Sequence, residues 1–212
     1  MFRCNKPAQY AVKPDFTLEI VPYSDMYLTV MFGNTTPVQV RAKAGIAYQI
    51  ESTLTEMDDT AVLVYAASHI QALNDLSACY IHDNDFSKAT KLSTLIIGNS
   101  TTGYTNTFLT SLHLGDNGLL TTLDIRNCPN LNEPLNLSKC HNLTTLNASN
   151  TSLTTVSFPV GGKLATAILP ATLTNLTVNS LKSLTNLNIA GYDNLTIFYC
   201  KDTNNINPLA IV

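Results

Sequence analysis

Apolar residues recur through most of the chain in one figure, apolar-x-x-apolar-x-apolar, with copies beginning at 70, 81, 92, 109, 120, 132, 143, 153, 164, 173, 184, 195 and 206. Clear copies are Leu109/Leu112/Leu114, Leu120/Leu123/Ile125, Leu143/Leu146/Ala148 and Leu173/Leu176/Val178. Of the 39 apolar slots in these thirteen windows, only Asp75, Asn84 and Asn132 are polar, where composition alone would leave about 21 polar. The figure is therefore a lattice rather than an accident of a leucine-rich chain. Its last two apolar positions lie two apart, so both side chains point to one face of a strand. The usual step of eleven residues is too short for a helix pair and suits one short strand plus a corner.

Two such steps make one coil of about 22 residues, inside the leucine-rich-repeat range. The reading is a mostly β chain: a leucine-rich-repeat-like parallel β-solenoid, preceded by a small antiparallel β unit. Windows at 120, 143, 164 and 184 are expected to stack on one broad side, and those at 132, 153, 173 and 195 on the other. Roughly six coils at the parallel-sheet spacing would extend about 29 Å. The corners carry turn chemistry at Asn117-Gly118, Asn127-Cys128-Pro129-Asn130, Gly161-Gly162 and Asp193-Asn194. One step is 17 residues long; its extra residues, from Gly98 to Phe108, are expected to project as a loop with Tyr104 near the tip.

Residues 1–66 read differently. Phe16-Thr17-Leu18-Glu19-Ile20 and Tyr27-Leu28-Thr29-Val30 alternate, and Ala61 to Tyr65 is a buried-strand run. This segment is expected to form an antiparallel unit that caps the solenoid of residues 67–212.

Composition narrows the function. Net charge is -3 with 12 Lys and Arg, which excludes nucleic-acid binding by phosphate neutralisation and polybasic membrane attachment. No apolar run is long enough to predict membrane insertion. The first residues, Met1-Phe2-Arg3-Cys4-Asn5-Lys6-Pro7, lack the apolar core of a signal peptide. In residues 92–212, Thr, Asn and Ser supply 47 of 121 positions, so the expected solenoid surface is neutral, made of hydroxyls and amides. Such a surface hydrogen-bonds glycans or protein backbone, or simply stays solvated.

At this point the windows Leu120-Thr-Thr-Leu-Asp-Ile-Arg-Asn-Cys-Pro-Asn-Leu131, Leu169-Pro-Ala-Thr-Leu-Thr-Asn-Leu-Thr-Val178 and Ala190-Gly-Tyr-Asp-Asn-Leu-Thr196 matter together. They resemble leucine-rich-repeat segments in structural proteins of bacteriophages that infect gut bacteria. Val64-Tyr-Ala-Ala-Ser-His-Ile70, followed by Leu73-Asn-Asp-Leu76, is similar to their repeat entry. The resemblance covers roughly residues 60–212. It implies a non-enzymatic virion component of the tail, baseplate or fibre, made in the host cytoplasm. The implied partners are other virion proteins or copies of itself, with a host-surface glycan or protein as a further partner. Those phage proteins usually run well beyond 212 residues. A bacterial cell-surface adhesin with similar repeats is the alternative, with an extracellular location.

The remaining candidates are few. His82-Asp83-Asn84-Asp85 offers oxygen ligands but lacks the Gly and bidentate Glu of a calcium loop, so no metal is expected. Ser111 and His113 share a strand face, with Asp116 and Asp124 expected nearby, but no Gly-flanked serine elbow accompanies them. No catalytic residue and no cofactor are therefore expected. Cys128 and Cys140 fall at corners and Cys200 in a core slot; free thiols are expected. The sequons at Asn34, Asn99, Asn136, Asn142, Asn147, Asn175 and Asn194 read as by-products of the repeat. Tyr104 and Tyr199 are the candidate partner anchors, since aromatic rings bury much area at small entropic cost. Ile206-Asn-Pro-Leu209-Ala-Ile211-Val212 is an uncapped apolar window, so Leu209 and Ile211 are expected to be covered by another subunit or by further chain.

Overall fold

The structure, a computed structural model, describes residues 2–4, 17–32, 36, 38–51, 62–65, 69–77, 85–98, 105–185, 187 and 192–201. Among these the chain is mostly β, without α-helix, and forms about four solenoid turns of roughly 22 residues plus a small antiparallel sheet. The remaining windows of the expected six coils begin or end outside the described residues.

Both broad sides are stacks of parallel strands. One carries β7 (Ile70–Ser77), β8 (Thr94–Ile96), β9 (Thr122–Asp124), β11 (Thr145–Asn147) and β13 (Thr166–Ile168). The other carries β10 (Leu135–Asn136), β12 (Thr155–Ser157), β14 (Asn175–Asn179) and β15 (Ile197–Lys201). The register is the one the lattice demands: Leu95, Leu123, Leu146 and Ala167 lie opposite one another, as do Leu135, Val156, Leu176 and Phe198. A slip of one residue would turn every leucine to solvent. Leu123, Leu146 and Leu176 are fully buried, and the corner residues Ala89, Cys128, Cys140 and Leu181 close the same core.

The N-terminal region enters this stack directly. β2 (Thr17–Pro22) pairs antiparallel with β7 on one side and with β5 (Tyr48–Glu51) on the other. One seven-stranded sheet thus runs β13-β11-β9-β8-β7-β2-β5. β5 and β2 cover the edge that β7 would otherwise expose, which protects it from pairing with other chains. A second sheet, ordered β1-β6-β3-β4, is antiparallel and comprises β1 (Phe2–Cys4), β6 (Val62–Tyr65), β3 (Met26–Phe32) and β4 (Val38–Ala42). Leu28 and Ala42 of that sheet join Leu18, Ile20 and Ile50 in the core that continues into the coils.

Of the inserted loop, residues 99–104 lie outside the described residues. Its returning end is held against the next coil: the Asn106 N–H donates to the Asn127 carbonyl at 2.8 Å, and Asn106 is fully buried.

Candidate functional site

The side chains between the leucines form straight columns, because parallel strands in register repeat them coil by coil. On the first face, Thr94, Thr122, Thr145 and Thr166 make one column. On the second, Ser157 and Thr177 follow Asn136.

The neutral surface expected from these positions is interrupted where Asp124, Asn147 and Pro170 are buried. Asp124 and Asn147 are buried, because each ends its strand as an Asx turn. The Asp124 carboxylate accepts the Arg126 N–H at 3.1 Å, and Asn147 Oδ1 accepts the Ser149 N–H at 3.1 Å. Asp85 does the same for Ser87 at 2.9 Å, and Asn136 for Ser138 at 3.0 Å. The Arg126 guanidinium lies on Asp124 and is held charged by it. Asp124 belongs to β9 on the first face, whereas the backbone of His113 forms a parallel β-bridge with Asp85 on the second, so the expected proximity of His113 to Asp124 does not hold.

A second set of polar residues is also structural. The hydroxyls of Ser93, Thr121 and Thr144 donate to the carbonyls of Gln71, Ser93 and Thr121, at 3.1, 2.9 and 3.0 Å. On the other side Thr174 and Thr196 donate to Thr154 and Thr174. Each bond spans one coil, so the threonine just after the first leucine of a window fastens neighbouring coils.

The coil-to-coil ties along the second face are uneven. At five steps, the two residues after a window's first apolar position both donate to a carbonyl one coil back: Thr121 and Thr122 to Ser93, Thr144 and Thr145 to Thr121, Ala165 and Thr166 to Thr144, Thr174 and Asn175 to Thr154, and Thr196 and Ile197 to Thr174. In the window at 132 the second of these residues is Pro134, which has no N–H. The pair slides back by one residue, so that Asn132 and Glu133 donate to Thr110 at 3.2 and 3.4 Å. Beyond that tie β10 pairs only with β12, and among the described residues no backbone hydrogen bond joins 112–114 to β10. The coils meet again where Asn142 Nδ2 donates to the Gly118 carbonyl at 2.6 Å.

Between these two ties lies an open cleft of about 530 Å³. Asp85, His113 and Asp116 line it from one coil side, and Pro134, Asn136 and Lys139 from the other. Gly115 lets its wall close on Ser87: a Cβ there would sit 2.9 Å from Ser87 Cβ, and its φ is +59°. The Ser87 hydroxyl and N–H hold the Asp85 carboxyl below its ordinary range, with smaller help from His113 and Lys88. Ser111 is buried rather than presented beside His113. Among the described residues no group of three or more His, Cys, Asp or Glu is arranged to hold a metal ion.

Tyr104, Leu209 and Ile211 lie outside the described residues, as do His82, Asp83 and Asn84. The backbone of Tyr199 lies in β15 opposite Thr177, and that of Cys200 opposite Val178. Cys128 and Cys140 are both buried, and burial pushes the Cys140 thiol up to about 11. The sequon residues Asn136, Asn142 and Asn147 are already engaged in the hydrogen bonds above.

Comparison with protein-family models, curated proteins and solved structures returns no match.

Proposed function

We propose that this chain is a rigid, non-enzymatic structural module of a bacteriophage particle, working by packing in a tail, baseplate or fibre. Its partners are other virion proteins or further copies of the chain. The observation that carries the reading is the single seven-stranded sheet that runs from the antiparallel cap into the parallel stack. Bending such a rod at its base requires breaking β2–β7 ladder bonds, so the cap and coils transmit load as one piece. Coil-to-coil hydroxyl bonds add stiffness along its length. The broad faces expose threonine and amide columns with few charges, a surface suited to contacts that do not depend on salt. The resemblance of the repeat windows to phage structural proteins supplies the virion setting.

The adhesin reading, a module on a bacterial surface, draws on the open cleft of the second face, which a purely structural rod does not need. Mass spectrometry of purified particles separates the two. Peptides of this chain in particles, at an abundance comparable to other tail proteins, are the expected result. Their absence from particles, with recovery from bacterial surfaces, overturns the virion reading.

A further inference from the structure

The open cleft lined by residues 112–116 and 134–139, with Asp85 and Ser87 of the preceding coil, has a size and a lining that together point to an occupant. Pro134, which has no N–H, stands on its rim. At about 530 Å³ the cleft falls in the size range of small-molecule sites.

The lining excludes several ligand classes. One ammonium group, Lys139, faces two carboxylates, Asp85 and Asp116, which disfavours phosphate and other anions. A bare cation finds too few ligands, since the Asp85 carboxylate already accepts from Ser87 and no three-ligand group exists among the described residues. An apolar ligand would strand the polar groups of Asp116, Asn136 and Lys139. What remains is a neutral ligand dense in groups that both donate and accept. Asp116 and the amide of Asn136 suit adjacent hydroxyls, Lys139 suits a ring or hydroxyl oxygen, and the exposed Pro134 ring offers an apolar surface for ring C–H groups.

We propose that this cleft binds one or two rings of a neutral saccharide. The site stands apart from the particle assignment, and would serve a virion module or a surface adhesin equally.

The test is an NMR titration of the full chain with millimolar glucose, galactose, mannose, N-acetylglucosamine, lactose and cellobiose. At least one is expected to shift the amides of residues 113–116 and 136–139 selectively. Asp116→Ala removes an exposed acceptor, and Pro134→Thr removes the apolar ring on the rim. Both should keep the wild-type circular dichroism spectrum and weaken binding about tenfold or more. Absence of shifts with every sugar overturns the proposal. So does binding that survives both substitutions unchanged. Shifts produced instead by inorganic phosphate or by a short threonine-valine peptide would assign the cleft to another ligand class and overturn it equally.

Discussion

The hydroxyl of Thr144 donates to the carbonyl oxygen of Thr121, 3.0 Å away and one coil earlier. Thr121 in turn donates to Ser93 at 2.9 Å. The first threonine of each Leu-Thr-Thr-Leu run is thus a fastener, while the second faces outward. Thr144→Val keeps the shape and deletes the bond, so it should lower stability by about 1 kcal/mol. Thr145→Val, on the exposed column, should change it by less than about 0.5 kcal/mol. Urea unfolding of the two variants checks this; equal effects would remove the distinction.

Gly98 packs directly against the backbone of the next coil. A Cβ there would lie 2.2 Å from the Arg126 carbonyl oxygen and 2.4 Å from its nitrogen. Both are backbone atoms and cannot swing aside. Gly98→Ala should therefore cost about 2 kcal/mol or more, as forced overpacking does. A Gly98→Ala protein with an unchanged thermal midpoint would mean that these coils are farther apart than described.

Asn127 and Asn150 occupy corresponding corners of successive coils, with φ of 58° and 56°, and Asn150 Nδ2 donates to Asn127 Oδ1 at 2.8 Å. Asparagine tolerates this left-handed backbone and a β-branched residue does not. Asn150→Gly should be nearly neutral apart from the lost amide bond. Asn150→Val should cost a further ~1–3 kcal/mol. Denaturation of the pair reads the difference directly.

The Cys140 thiol carries a pH signature. Burial raises it from 9.0 to about 11, so the folded state binds its proton more tightly than the unfolded state does. Its contribution is fully present below pH 9.0 and is lost as pH rises through about 11. Tyr192, also raised by burial, adds a loss of the same sign. The urea midpoint should fall with rising alkalinity above pH 9, and less steeply in Cys140→Ala. Identical slopes would place the thiol in contact with solvent.

Much of this architecture is legible in the spacing of leucines. Leu123, Leu146 and Leu176 report burial, register and the two-sided stack, because a strand lattice leaves one arrangement that hides them all. The polar positions are harder to read. Thr121 and Thr122 are the same residue type side by side, yet one fastens coils and the other meets solvent. Only the position relative to the first leucine separates them. The Asx turns were available as a spacing, Asp or Asn four residues after the window start and Ser or Arg two later, as in Asp85/Ser87, Asp124/Arg126, Asn136/Ser138 and Asn147/Ser149. Of the cleft, only Pro134, a residue without an N–H inside a window, was legible; the residues that line it meet once the coils are stacked.

The central claim is that alternate residues of each short strand face a buried lattice and open solvent, in register from coil to coil. Leu176 is fully buried and its neighbour Thr177 is exposed in the same strand. The most direct measurement compares urea unfolding of Leu176→Asp and Thr177→Asp. Leu176→Asp should lose about 4 kcal/mol or more and its cooperative transition, since it removes a core side chain and buries an unpaired charge. Thr177→Asp should unfold within about 0.5 kcal/mol of the wild type. Equal losses, or a larger loss at Thr177, would contradict the stacked solenoid.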